Sequence, residues 1–150
     1  MKTKILMVCL GNICRSPLAE GILKSKIDPN SILVDSAGTG HWHVGQLPDS
    51  RSIEVAKKHG LNITDQRGRQ FSHNDFLEFD HIFVMDNSNL ETVLELAETK
   101  KEKEKVQLIL DELFPSENVD VPDPYYGGDL GFENVYQMLD QACDKITERL

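Results

Sequence analysis

Apolar residues fall in short bursts along this chain, separated by polar segments that keep helical spacing. Ile5–Val8 is too brief a run for a helix and predicts a buried strand. Ser16 and Pro17 then read as a helix cap and a first-turn proline, opening a helix to about Lys26. Ile32–Val34 predicts a second strand. From Asp49 to His59, Ile53 and Ala56 keep helical spacing, and Gly60 supplies a stop. Ser72-x-x-Asp75 has the form of a capping box and predicts a short helical turn. His81–Met85 predicts a third strand. A helix follows from about Ser88 to Ala97, with Leu90, Val93, Leu94 and Ala97 on one face. Lys100 to Lys105 alternates in charge sign and reads as solvated surface. Val106–Leu110 predicts a fourth strand, and an amphipathic helix from about Phe132 ends the pattern.

Strand–helix alternation four times over predicts an α/β fold: an open four-stranded parallel sheet with helices on both faces. No internal repeat or low-complexity linker divides the 150 residues, so residues 1–150 read as one domain. One connection breaks the rhythm. From about Asp111 to Gly131 the chain carries Pro115, Pro122, Pro124, Gly127 and Gly128 without an obvious element. Loops that long in a compact domain are usually functional or disordered. In open parallel sheets the loops leaving the carboxyl ends of strands form the ligand crevice. The loop after the first strand and this long connection both leave such ends, so they are expected to meet there.

Composition narrows the choice. A net charge of -9 repels phosphate polymers and argues against nucleic acid as a partner and against a membrane-surface role. Most of that charge is local: residues 111–150 hold ten acids and two bases. The first thirty residues lean basic through Lys2, Lys4, Arg15, Lys24 and Lys26, so an anionic ligand is expected near the front of the chain. The apolar run Ile5–Leu10 is too short to span a bilayer. Three cysteines at low density predict no disulfide framework and a cytoplasmic setting.

The candidate chemistry lies in the loop after the first strand, Val8-Cys9-Leu10-Gly11-Asn12-Ile13-Cys14-Arg15-Ser16-Pro17. Its outer frame is Cys-x5-Arg-Ser, set between a buried strand and the start of a helix. Successive backbone N–H groups in a curled loop that ends at a helix N-terminus form a nest for a phosphate or similar oxyanion. Asn12 tolerates the left-handed backbone that such a curl demands, and Gly11 lets the backbone close in. Arg15 offers a planar fork to two phosphate oxygens. Cys9, at the base of the nest, faces a helix N-terminus and an arginine, which favours its thiolate. Ser16 is placed to hydrogen-bond that sulfur. No Lys precedes the Ser, so the loop is not a nucleotide-binding P-loop.

This stretch resembles the phosphate-binding signature of the low-molecular-weight protein tyrosine phosphatases. Asp35-Ser36-Ala-Gly, Met85-Asp86-Asn-Ser-Asn-Leu90 and Asp123-Pro-Tyr-Tyr-Gly-Gly128 agree with the same family in order and spacing, so the likeness spans nearly the whole chain. It implies a flavodoxin-like four-stranded parallel sheet and hydrolysis of phosphotyrosine in proteins through a cysteinyl-phosphate. It further implies that Cys9 is the nucleophile, that Leu10 to Ser16 with Arg15 bind the phosphate, and that Asp123 is the general acid and later the base. Ile13, Trp42, Tyr125 and Tyr126 resemble the walls of the substrate cleft. Ser36 resembles the residue that hydrogen-bonds Asn12 and fixes the loop. Asp86 is expected to pair with Arg69 as a structural support. No cofactor or metal is implied, and His41 and His43 lack convergent partners for one.

Three alternatives share the loop chemistry. An arsenate reductase on the same fold needs further redox cysteines, and outside the loop only Cys143 is present. An arginine phosphatase is the second, and related arginine phosphatases carry a threonine where this chain has Ile13. The third, a phosphate-binding module without catalysis, predicts loss of Cys9 or Asp123, and both are present. His59, His73 and His81 read as surface or helix-end residues, and Cys143 as structural.

Overall fold

The computed structural model describes residues 2–126 and 128–150, and the side chains of residues 126 and 128–130 are outside that description. Four strands form one parallel sheet: β1 (Thr3–Cys9), β2 (Ile32–Gly38), β3 (His81–Val84) and β4 (Val106–Leu108), in the order β2-β1-β3-β4. The helices are α1 (Arg15–Lys24), α2 (Ser50–Lys58), α3 (Asn74–Glu78), α4 (Asn87–Leu96), α5 (Lys100–Glu104) and α6 (Gly128–Glu148). Two 3-10 turns, Ile109–Glu112 and Pro124–Tyr126, lie in the long connection after β4.

The two-residue period of β1 divides the core. Ile5, Met7 and Cys9 face one apolar cluster with Leu18 and Ile22 of α1, Val55 of α2, and Leu139 and Ile146 of α6. Leu6 and Val8 face the other, with Phe76 of α3 and Val93 of α4. Both faces of β1 are therefore dry, which is why its sequence reads as a continuous apolar run. With β1 central, the loop leaving its carboxyl end is flanked by the ends of β2 on one side and β3 on the other.

Several predicted boundaries shift. The structure starts α1 at Arg15 with Cys14 at the N-cap and no side-chain cap, so Ser16 and Pro17 lie inside the first turn rather than ahead of it. The Ser16 hydroxyl is directed toward Cys9 instead. The 72–75 box is half formed: Asp75 accepts the Ser72 backbone N–H, while His73 is the N-cap of α3. Asp86 caps α4 with a full capping box to Asn89. The charged run at 100–105 forms α5, whose Glu102 is buried and accepts from the Glu98 backbone. The last helix begins at Gly128, not near Phe132.

Candidate active site

The loop after β1 is held from outside through its carbonyls. Cys9 C=O accepts from Thr39 N–H, Leu10 C=O from Gly40, and Ile13 C=O from Asp49. Cys14 C=O accepts from Leu18 N–H. A trans peptide points its N–H opposite its C=O, so these ties aim the amides of Leu10, Gly11, Cys14 and Arg15 into the concave side. Close approach is required on the β2 side. A Cβ on Gly38 would lie 2.8 Å from the Leu10 carbonyl oxygen, so no side chain fits there.

Asn12 is the hub of the loop. It is buried and takes a positive φ of 56°, the left-handed conformation expected for it. Its N–H approaches Cys9 Sγ at 3.3 Å, and its Nδ2 donates to Ser16 Oγ at 2.8 Å and Ser36 Oγ at 3.0 Å. Its Oδ1 accepts from the Arg69 backbone N–H. Ser36 Oγ donates in turn to the buried Glu20, 2.6 Å away. Because Asn12 donates to Ser16, the hydroxyl proton of Ser16 is left for an acceptor. Cys9 Sγ at 3.0 Å is nearer than the Ala37 carbonyl at 3.5 Å. The network therefore supplies the sulfur with two donors, the Asn12 amide and the Ser16 hydroxyl, which is the arrangement a thiolate needs.

Arg15 is 3% exposed, and its guanidinium is oriented by Asp86 Oδ2 at 2.7 Å and the Val121 carbonyl at 3.0 Å. Burial opposes its charge, but the Cys9 sulfur and Asp86 outweigh that and raise its pKa. The expected Arg69–Asp86 pair does not form. Arg69 instead joins Asp35 and Asp75 at 3.2 and 3.0 Å, on the β2 side of the loop. Burial first, then the charges of Asp49 and Cys9, push the Cys14 thiol up to about 12.

Cys9, Cys14 and Arg15 line a cleft of about 240 Å³ together with Leu10, Gly11, Ile13, Trp42, His43, Asp123 and Tyr125. Asp123 reaches it from the long connection, with Oδ2 3.9 Å from Arg15 Nη2 and Oδ1 accepting the Tyr125 N–H at 3.0 Å. Two loops remote in sequence thus meet at the carboxyl end of the sheet. The family model of low molecular weight phosphotyrosine protein phosphatases matches residues 4–150. The chain belongs to that family.

Among curated relatives, the low molecular weight phosphotyrosine protein phosphatase of Schizosaccharomyces pombe is 42% identical over 91% of this phosphatase and 89% of its own length. A protein tyrosine phosphatase of Entamoeba histolytica, solved with Hepes in its active site, superposes with a TM-score of 0.92 at 39% identity. That match covers 99% of this chain and 96% of the other. A Drosophila arginine phosphatase superposes at 0.89 with 38% identity, covering 99% and 97%.

Of the cleft residues expected in this phosphatase, Cys9, Leu10, Gly11, Ile13, Cys14, Arg15, Trp42, Asp123 and Tyr125 are brought together. Trp42, 62% exposed, stands at the rim rather than in a wall. The side chain of Tyr126 lies outside the described residues. His43, for which the sequence offers no convergent metal-ligand partners, lines the cleft and contacts Gln46 at 2.9 Å. Glu20, Asp49 and Arg51 also carry the site's framework, and the sequence motifs do not mark them as site residues. Only Asp49, as the N-cap of α2, had a local signal. Among the described residues, no group of three or more His, Cys, Asp or Glu is placed to hold a metal, and no helix is long and apolar enough to cross a membrane.

Proposed function

We propose that residues 1–150 form one phosphatase domain in which Cys9 is the nucleophile, Asp123 the general acid and base, and Arg15 the phosphate clamp. The reading is supported most by one observation: Cys9, Arg15 and Asp123 line the same cleft from two distant loops. Leu10, Gly11, Asn12, Ile13, Cys14 and Ser16 complete the phosphate-binding loop, with Ser36 holding Asn12 in place. The substrate is phosphotyrosine in cytoplasmic proteins.

Phosphate docks in the loop with its oxygens on the amides and Arg15, and its phosphorus over Cys9. The thiolate attacks in line, forming the S–P bond as the bond to the phenolic oxygen breaks. Phenol has a pKa of about 10, so the departing oxygen needs a proton, which the Asp123 carboxyl donates. Asp123, now a carboxylate, then takes a proton from water as that water attacks phosphorus. The S–P bond breaks, inorganic phosphate leaves and the thiolate returns. The loop amides and Arg15 stabilise the equatorial oxygens in both steps, and this is where most of the rate enhancement arises.

Substrate choice rests on the walls. Ile13 and the ring of Tyr125, with Trp42 at the rim, offer apolar contact to a phenyl ring, and Ile13 presents no hydrogen-bonding group to a guanidinium, which is costly to bury unpaired. The likeness to a Drosophila arginine phosphatase makes phosphoarginine the reading to test against. The experiment is kcat/KM on matched peptides carrying phosphotyrosine, phosphoarginine or phosphoserine, with Ile13→Thr alongside. Phosphotyrosine is expected to lead, and Ile13→Thr to shift the ratio toward phosphoarginine. Equal rates on phosphoarginine and phosphotyrosine in the parent would overturn the substrate while leaving the chemistry intact.

A further inference from the structure

We propose that Arg51 is a positioning residue that braces the loop carrying Asp123 against the phosphate-binding loop and thereby sets the geometry of proton transfer. The inference rests on the assignment of Asp123 as general acid.

Arg51 is the second residue of α2 and uses every part of its guanidinium. Nε and Nη2 each lie 3.1 Å from an oxygen of Asp49, a fork-to-fork pair. Asp49 also accepts the Arg51 backbone N–H at 2.9 Å. Burial opposes the charge on Asp49, but these bonds outweigh it and hold the carboxyl below the usual range. Asp49 is in turn tied to the nucleophile loop, because its N–H donates to the Ile13 carbonyl at 2.8 Å.

On the other side, Arg51 Nη1 donates to the Tyr125 carbonyl at 2.9 Å. Its Cζ also lies over two rings, 5.1 Å from the Tyr125 centroid and 4.6 Å from that of the buried Phe132. The Tyr125 N–H then donates to Asp123 Oδ1 at 3.0 Å. An unbroken run of direct contacts thus links Ile13, Asp49, Arg51, Tyr125 and Asp123. Lysine would bring only a point charge to this place, with neither fork nor stacking face.

Such a brace is needed. The Asp123 side chain is 41% exposed, and its nearest cation among the described residues, Arg15 Nη2, stands 3.9 Å away, beyond hydrogen-bond distance. A general acid works only within hydrogen-bond reach of the leaving oxygen, and a displacement of about 1 Å can cost about 10²-fold in rate.

The test compares Arg51→Met, Arg51→Lys, Asp123→Ala and the double variant Arg51→Met/Asp123→Ala. Each is assayed for kcat/KM on aryl phosphates spanning leaving groups from phenol to dinitrophenol, with thermal unfolding and inhibition by inorganic phosphate measured alongside. Arg51→Met is expected to lose about tenfold or more on phenyl phosphate and little on the dinitrophenyl ester, whose leaving group needs no proton. Phosphate inhibition is expected to stay unchanged. Arg51→Lys should show the same selectivity with a smaller loss, and it carries the test if Arg51→Met does not fold. In the Asp123→Ala background the Arg51→Met change should add no further loss. A loss uniform across the series, or one that multiplies fully with that of Asp123→Ala, would reduce Arg51 to a structural role and overturn the inference. If Asp123→Ala is leaving-group selective and the Arg51 variants are not, the inference alone fails. If Asp123→Ala is itself unselective, the acid assignment fails and takes the inference with it.

Discussion

Arg15 Nη1 stands 2.7 Å from Oδ2 of Asp86, which divides its carboxylate between two tasks. Oδ1 accepts the Asn89 N–H and caps α4, while Oδ2 orients the guanidinium. The arginine is thus already held in place when phosphate arrives, and little side-chain entropy remains to be lost on binding.

Asp86→Ala removes both tasks and leaves a buried guanidinium short of its anion. Asp86 keeps 19% of its side chain exposed, so the expected cost is about 3 kcal/mol, the lower end for a broken buried pair. Asp86→Asn retains the cap, worth about 1 kcal/mol, and should be the milder of the two. Urea unfolding checks the order of stabilities. Inhibition by inorganic phosphate should weaken in both variants, and unchanged inhibition would mean that Asp86 does not orient Arg15.

Cys9→Ser should lower turnover by at least about 10³-fold, because an alcohol there remains protonated while the nest and Arg15 are intact. Phosphate should still bind. Titration calorimetry with inorganic phosphate, beside an aryl phosphatase assay, separates the two effects. Substantial residual turnover would count against Cys9 as nucleophile.

Peroxide should oxidise Cys9 before Cys14. The Cys14 thiol, pushed up to about 12 chiefly by burial, stays protonated at neutral pH, and only a thiolate reacts readily with peroxide. A sulfenic acid on Cys9 can then condense with the Cys14 thiol, releasing water and closing a disulfide. Reductant is expected to restore activity in the parent protein but not in Cys14→Ser, where Cys9 should proceed to the sulfinic acid. Intact-mass and peptide mass spectrometry read both products. A Cys9 sulfinic acid with free Cys14 in the parent would exclude the disulfide.

Glu20 predicts a pH dependence of stability. Burial raises its pKa above the ordinary carboxylate value, against the opposing bonds from Lys24 and Ser36. The folded state therefore holds this proton at pH values where the unfolded chain has released it. Stability from this group is largest at low pH and falls as pH rises from the unfolded value of about 4.3 through the raised folded one. Glu20→Gln keeps an acceptor for Ser36 and cannot titrate, so its stability curve should be flatter across that window. Parallel slopes for parent and variant in urea melts from pH 4 to 8 would remove Glu20 as the source.

The strands, most helices and the nucleophile loop were legible because their signals are local. An apolar run of four residues, a cap or an Asn suited to a left-handed turn acts within a few positions of itself. The start of α1 differs from its expected place for a related reason. Ser16 carries the composition of a cap, yet Asn12 and Cys9 lie close enough to claim its hydroxyl, and nothing within the helix itself signals that.

The pairing of Arg15 and Asp86 was out of reach of such local signals, and the expected Arg69–Asp86 pair was wrong for a topological reason. With β1 between β2 and β3, Asp86 leaves the end of β3 on one side of the Cys9 loop. Arg69 runs beside the end of β2 on the other, where its carbonyl accepts the Gly38 N–H. The loop itself separates them, so each charge takes the partner on its own side: Asp86 takes Arg15, and Arg69 takes Asp35 and Asp75. The Arg51 brace arises in the same way. Hydrogen-bonding capacity is a property of each residue, but strand order decides which loops come within 3 Å of one another.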